Sequence, residues 1–410
     1  MERKLGQALP GILATTLVMT AGFTVSSSAL AEDIKIGVIA PFNTPAGEGL
    51  LNAAKMAAEE INAAGGIDGK QIELVLANDE YKPEVGANAY KRLALSDKAV
   101  AVVGTASSGV AMAIVDQMAR YKVPFLTTGA ASNQLSERVS SDYDKTKYFF
   151  RVMHSSEDMG VALGDWAINF LHKEKGYSRA GLLVEDALWT RGIVEILKKD
   201  LENAGVTIAI EEKFDHETKD FKPSFAKITN AKVDYILDIS SQVDGAIYAK
   251  QWAELNGPPM SGINASGTSS RFWKDTDQKA VGHANLIQGS YRTSLTPKTI
   301  EWFDRYVDTW KVSPDYTSGY TYDAIYILKD AIERAKDLKP DALVKALEQT
   351  DYVGVSARWV FEDDHNSKFG SGYRVMGMFQ WRQDGSREVV WPPEVKTGEF
   401  ILPPWVKQKQ

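Results

Sequence analysis

Cysteine is absent from the 410 residues of the chain. That excludes disulfides, thiolate catalysis and cysteine-bound zinc. Two nucleotide signatures are missing as well. No G-x-G-x-x-G occurs, and no Lys-Ser/Thr pair follows Gly109, so neither a dinucleotide site nor a P-loop is indicated, and no cofactor is expected. Positive charge is in short supply. The formal net charge is −7 and no basic stripe stands out, which argues against a nucleic-acid partner. Beyond the first 25 residues no apolar run approaches the length of a membrane-spanning helix. The rest of the composition is that of a globular protein, 44% hydrophobic and 25% charged, long enough for two domains.

The N-terminus reads as an export signal. Arg3 and Lys4 supply a positive start, residues 8–25 an apolar run, and Ala29-Leu30-Ala31 a small-x-small cleavage site. Residues 1–31 are thus expected to be removed, leaving a soluble periplasmic protein that begins at Glu32. Glu2, Arg3 and Lys4 leave with the signal, so the mature charge is −7 − 1 = −8.

The most informative stretch is 100–132. Two short apolar runs, 100–103 and 124–126, read as buried parallel strands, since both faces must be apolar when helices cover both sides of a sheet. Each runs into small polar residues: Gly104-Thr105-Ala106-Ser107-Ser108-Gly109, then Thr127-Thr128-Gly129-Ala130-Ala131-Ser132. Ligands of parallel α/β sheets bind at the carboxyl ends of strands, and helix N-termini attract anions. The stretch offers hydroxyls and backbone donors, without a nucleophile paired to a base.

The flanking pattern is a repeated α/β alternation. Strands are expected over 34–40, 72–77 and 148–152, with helices over 51–64 and 83–96. A second unit starts with helix 159–173 and continues through strands 180–184, 206–210, 235–239 and 261–263. Strand 286–289 precedes helices 297–311, 320–335 and 340–349, assigned to the first unit. Short strands over 359–361, 373–381 and 389–391 end the chain. The segment 362–366 reads as a polar turn rather than a metal site.

Several of these segments resemble the type I periplasmic binding proteins of the branched-chain amino acid (Leu/Ile/Val) family of ABC importers. The carriers are IKIGVIAPF, the turn INAAGGIDGK within GLLNAAKMAAEEINAAGGIDGKQIELVLANDE, VAVVGTASSGVAMAI, VPFLTTGAAS, YFFRVMHSSEDMG and VVWPPEVKTGEFILPPW. The resemblance implies an α/β fold of two Rossmann-like lobes joined by three crossing segments, with the ligand in the cleft between. The lobes would comprise 32–152 plus 292–355 and 153–291 plus 356–410. The crossings would lie near 151–155, 290–294 and 354–358.

It also implies ligand contacts. In the first lobe, Ser107 takes the place of the family's carboxylate-binding serine, with Ser108 beside it; Ala130 and Ser132 match the second loop, and Phe42 is a wall candidate. In the second lobe, Trp189 matches an aromatic wall residue. Ser240 or Ser241 stands where the family has another aromatic. Ser156 and Asn264 fall where amino-acid-binding members carry acids. A buried ammonium needs a carboxylate partner. Those two neutral residues shift the expectation from a standard amino acid towards a small carboxylate, with an aromatic or apolar body, or towards a neutral amide, unless Glu157, Asp158, Asp186 or Asp244 substitutes. Tyr81 and Trp273 are further wall candidates.

The expected function is solute capture by hinge closure and delivery to an ABC permease in the inner membrane, by a monomer and without bond chemistry. Two alternatives compete. One is a sensor that hands its closed form to a non-transport receptor. The other is a serine hydrolase, but Thr105 replaces the first glycine of a G-x-S-x-G elbow, and of the five histidines only His154 is near the cleft.

Overall fold

The computed structural model describes residues 32–286 and 291–407. The expected signal segment, most of strand 286–289 and Ser290 lie outside the described residues.

Five strands form the first sheet: β1 (Ile34–Ala40), β2 (Ile72–Asn78), β3 (Ala101–Gly104), β4 (Phe125–Thr127) and β5 (Phe149–Arg151). Their order is β2-β1-β3-β4-β5, and every pairing is parallel. The second sheet holds β6 (Arg179–Glu185), β7 (Thr207–Phe214), β8 (Tyr235–Ser240), β9 (Met260–Asn264) and β10 (Ala284–Leu286). A small antiparallel pair, β11 (Asp351–Val353) and β12 (Arg358–Val360), stands apart. Finally β13 (Met378–Trp381) and β14 (Arg387–Trp391) join the second sheet antiparallel, giving the order β14-β13-β10-β9-β8-β6-β7.

Burial on both faces explains the composition of β1, where Ile36, Val38, Ile39 and Ala40 are all inaccessible. Helix α1 (Pro45–Ala63) starts on a Thr44 cap with Pro45 in its first turn. Its buried alanines, among them Ala53, Ala54 and Ala57, let it pack closely against the sheet and the helix Tyr316–Ala335. Asn62 then fixes the return: its amide accepts from Ile72 N at 2.7 Å and donates to Ile72 O at 3.0 Å. Helices α2 (Pro83–Leu95) and α3 (Ser108–Val115) follow and pack on each other.

Both sheets have a switch point, where chain order reverses between neighbouring strands. In the first it lies between β1 and β3, in the second between β6 and β8. The crossover helices leave in opposite directions there, so the carboxyl-end loops part and leave a crevice. The four loops concerned are 41–44, 105–107, 185–189 and 240–244. The chain passes from the first sheet to the second after β5, returns after β10 and passes again between β12 and β13.

Some elements differ from the expected ones. The helix expected over 159–173 starts at Ser156, on a Ser155–Asp158 capping box, and widens to a π-helix over Trp166–Glu174, where Trp166 stacks on Phe170. The helix expected from Tyr320 starts at Tyr316, capped by Asp315 and Ser318. Strand 206–210 continues to Phe214. The strand expected over 373–381 shrinks to Met378–Trp381, because Arg374 turns inward to His154 and Asp158. The helix Gln134–Ser141 and the strand β11 went unforeseen.

Gly104 ends β3 at φ +125°, and a Cβ there would lie 2.1 Å from the Ile39 carbonyl oxygen. Gly104→Ala is expected to destabilise the fold by ~1–3 kcal/mol or more through backbone strain alone. Urea denaturation of the two proteins checks this.

Candidate functional site

Loops at the carboxyl edges of both sheets line a narrow cavity. Its lining from the first sheet is Ala106, Ser108, Gly129 and Ala131, and from the second Trp189, Ser241, Ile263 and Ala265. Met153 and Met159, from the first passage between the sheets and the helix after it, close one side, and Tyr316 completes the wall. It has ≈ 20 Å³ of room for a water-sized group, enough for a small polar head. Ser241, Ala265 and Tyr316 also line a wider mouth of ≈ 350 Å³. The apolar cluster Ala46, Ala106, Ala265 and Tyr316 brings loops of both sheets into contact there.

Around the deep cavity the available groups are mainly donors. Ser108 Oγ accepts from Ser132 N at 3.1 Å, leaving its own proton to give. It is also the first residue of α3, whose leading N–H groups have no partner within the helix. The Trp189 indole N–H is buried and unpartnered. Behind the β4 loop lies Arg151, wholly buried. Its guanidinium donates to Ala130 O at 2.6 Å, Ser132 O at 2.7 Å and Ser136 Oγ at 3.2 Å. Among the described residues no carboxylate lies within ion-pair distance of it, and burial pulls its pKa down to about 10. A cation thus sits behind the loop that walls the cavity.

The nearby carboxylates are already engaged. Glu185 accepts from Ser241 N and from Gln242 N, the latter at 3.0 Å, and so shapes the 240–244 loop. Burial raises its pKa in spite of those bonds. Asp79 accepts from the Thr105 hydroxyl and, at 2.9 Å, from Tyr81 N; burial raises its pKa too. Asp158 is held by Arg374 at 2.9 Å and by Ser155 N at 2.8 Å. None of the three lines the deep cavity.

Of the residues singled out from the sequence, Ser108 and Trp189 line the deep cavity. Ser107 caps α3, accepting from Val110 N. Ala130 and Ser132 stand one layer back: their N–H groups go to Thr127 Oγ1 and Ser108 Oγ, their carbonyls to Arg151. Ser156 donates to Ala131 O and Trp189 O, tying two cavity loops together. The Ser240 hydroxyl turns into the core towards Tyr248, so Ser241 meets the cavity instead. Asn264 caps the turn Ala265–Thr268 and is fully buried. Phe42 packs against the first core while Asn43 and Thr44 reach the mouth. Tyr81 and Asp244 also line the mouth, and Trp273 stacks on Trp381 in the second core. Reasoning from sequence missed Tyr316, Ile263, Met153, Met159 and the supporting Arg151 and Glu185. The Asp315-x-x-Ser318 pattern, a helix-start signal, was available for Tyr316.

A model of the family described as "Periplasmic binding protein" matches residues 33–386. The Leu/Ile/Val-binding protein homolog 7 of Brucella suis is 25% identical over 398 residues, covering 93% of this chain and 97% of that protein. The substrate-binding protein LivJ of Streptococcus pneumoniae, solved with isoleucine, superposes with a TM-score of 0.77 at 22% identity, over 88% of this chain and 100% of that one. A solute-binding protein of R. palustris, solved with benzoate, gives a TM-score of 0.75 at 18% identity, over 91% and 99%. At such identities the solved structures establish the fold, two α/β units of the type I arrangement.

Arg151→Met is expected to lower stability by at least ~2 kcal/mol, because two buried carbonyls lose their donor at ~1–3 kcal/mol each. Denaturant midpoints check this; an unchanged midpoint would mean water replaces the guanidinium.

Proposed function

The chain belongs to the periplasmic binding protein family, and we propose that it captures a small organic carboxylate for an ABC importer. Its relatives are solute-binding proteins, and no reacting group is needed for capture. The carrying observation is the donor-lined cavity with Arg151 behind it and no acid on its wall. Each feature favours an anion, through hydrogen bonds, the α3 N-terminus and the field of a buried cation. The apolar wall of Met153, Met159, Ile263 and Trp189 suits an aliphatic or aromatic body. An α-amino acid would bring an ammonium with no free carboxylate in the deep cavity to receive it, which favours the benzoate-type ligand of the R. palustris neighbour over isoleucine.

In this reading the lobes are 32–152 with 292–355 and 153–291 with 356–410. Binding proceeds by closure, because a ligand that touches both sets of loops stabilises the closed form. Residues 1–31 direct export to the periplasm, where a monomer presents its closed form to a membrane permease. Ser108, Trp189 and Ser241 contact the ligand, and Ser107, Ala130, Ser132, Ser156, Ser240, Asn264 and Phe42 hold those contacts in place.

A thermal-shift screen of residues 32–410 tests this, with benzoate, 3-methylbutanoate, leucine and isoleucine as probes. A ligand at 100 times its Kd adds about 2.7 kcal/mol, which is readily seen. The carboxylates should raise the melting temperature more than the amino acids; the reverse order sinks the carboxylate reading. Ser108→Ala and Trp189→Phe should each weaken benzoate binding about tenfold, within the ~1–3 kcal/mol of a lost buried donor. Ser107→Ala should cost ~1 kcal/mol of stability as a lost cap and affect affinity less than Ser108→Ala.

A further inference from the structure

Carboxylates gather at the mouth of the cleft, in contrast to the donors at its floor. Glu48, Asp244, Asp275 and Asp315 line it against a single cation, Arg271. Arg271 already reaches Glu48 at 3.4 Å, and both side chains are half exposed. Asp244 accepts from Ala246 N at the start of its own helix. Asp315 is the exception. Only 6% of it is exposed, and its Oδ1 has no partner although the residue caps the helix Tyr316–Ala335. A buried carboxylate oxygen left without a donor is costly, and costlier still when ionised. The next residue, Tyr316, lines both the mouth and the deep cavity, as do Ser241 and Ala265, so the two spaces adjoin.

We propose that the mouth receives a cationic end of the ligand, with Asp315 as its counter-charge, so that the solute is a carboxylate whose amino group is remote from the carboxyl rather than α to it. This rests on the reading of the deep cavity as the carboxylate site. The ligand then completes both orphaned groups of the cleft. An acceptor oxygen meets the Trp189 N–H, and an ammonium meets Asp315 Oδ1. Closing the cleft over such a molecule removes an unpaired buried acceptor, an energy available only in the closed state.

The state of Asp315 supplies a second handle. Burial pushes its pKa up to about 7, against the backbone N–H groups of Tyr316 and Thr317 and the charge of Arg271, while Glu48 opposes ionisation. Tyr81, Tyr306, Tyr316, Asp244, Asp275, Glu48 and Arg271 are the other titratable groups that share its pockets. Between pH 6 and 8 Asp315 therefore gains its charge, while an aliphatic ammonium keeps its own.

The experiment is calorimetric titration of residues 32–410 with 4-aminobutanoate, 5-aminopentanoate and 6-aminohexanoate, each against its des-amino acid, with leucine alongside. At least one ω-amino acid should bind tenfold or more tightly than its des-amino partner at pH 8. That advantage should shrink several-fold at pH 6 and disappear in Asp315→Asn, a substitution that preserves a helix-capping side chain. Should the variant fail to fold, the pH dependence of the unaltered protein decides. If des-amino and ω-amino acids bind alike, the mouth subsite is overturned and the carboxylate reading stands. If leucine alone binds, or nothing does, both are overturned.

Discussion

A strand covered on both faces can present polar chemistry only at its ends. That constraint organises the molecule. Helices bury both faces of β1, β3, β6 and β8, and their interior side chains go to apolar packing, apart from Asp238 of β8, which Tyr248 and His283 hold by hydrogen bonds. What is left for recognition is the set of loops at the carboxyl edges, parted at the switch point of each sheet. Two such crevices face each other, so neither sheet alone forms the cavity. Trp189 and Ser108 come from loops of different sheets and line one cavity because the two carboxyl edges face each other. The cavity therefore depends on the relative position of the two sheets.

Charge placement follows from the same geometry. The passages between the sheets carry several of the buried ionisable groups. Arg374 donates to His154 Nδ1 at 2.8 Å, so that nitrogen is an acceptor and the proton lies on Nε2. Burial and the adjacent guanidinium hold the His154 pKa well below its ordinary value, and the ring stays neutral. Asp158 balances Arg374. In the last passage Asp323 gathers Val355 N, Ser356 N and the Trp359 indole at 2.7–2.9 Å, yet burial still raises its pKa to about 6. Breaking such networks costs several kcal/mol, because each leaves a charge unpaired in the interior. These networks anchor the first and last passages in the interior.

The alternation of elements was legible because its signals are local. Apolar runs of three to seven residues mark the strands, and capping residues mark the helices. The positions of the binding loops followed from the strand ends. Which side chain of a loop faces the cavity did not, because that depends on φ and ψ at one or two residues. Ser107 and Ser108 are adjacent, but one caps α3 and the other lines the cavity. Ser240 and Ser241 divide in the same way, since Ser240 continues β8 into the core. Arg151 could not be seen at all: in a sequence it is one charged residue at the end of a strand, and its three acceptors lie 15 to 21 positions away.

The buried arginine also bears on how a neutral-looking loop can select an anion. Ala130 and Ser132 point their carbonyls backward at Arg151. With those oxygens turned away, the cavity meets Gly129, Ala131 and the Ser108 hydroxyl, and the cation behind adds a field that favours an anion. Had the carbonyls faced forward, the same loop would have suited an ammonium. A change of sign in selectivity can therefore be set by a residue that never touches the ligand. The mouth has the opposite sense, because there the buried residue, Asp315, is itself the wall. Two buried ions of opposite charge, one behind the floor and one at the rim, give the cleft a direction along which a dipolar solute can align.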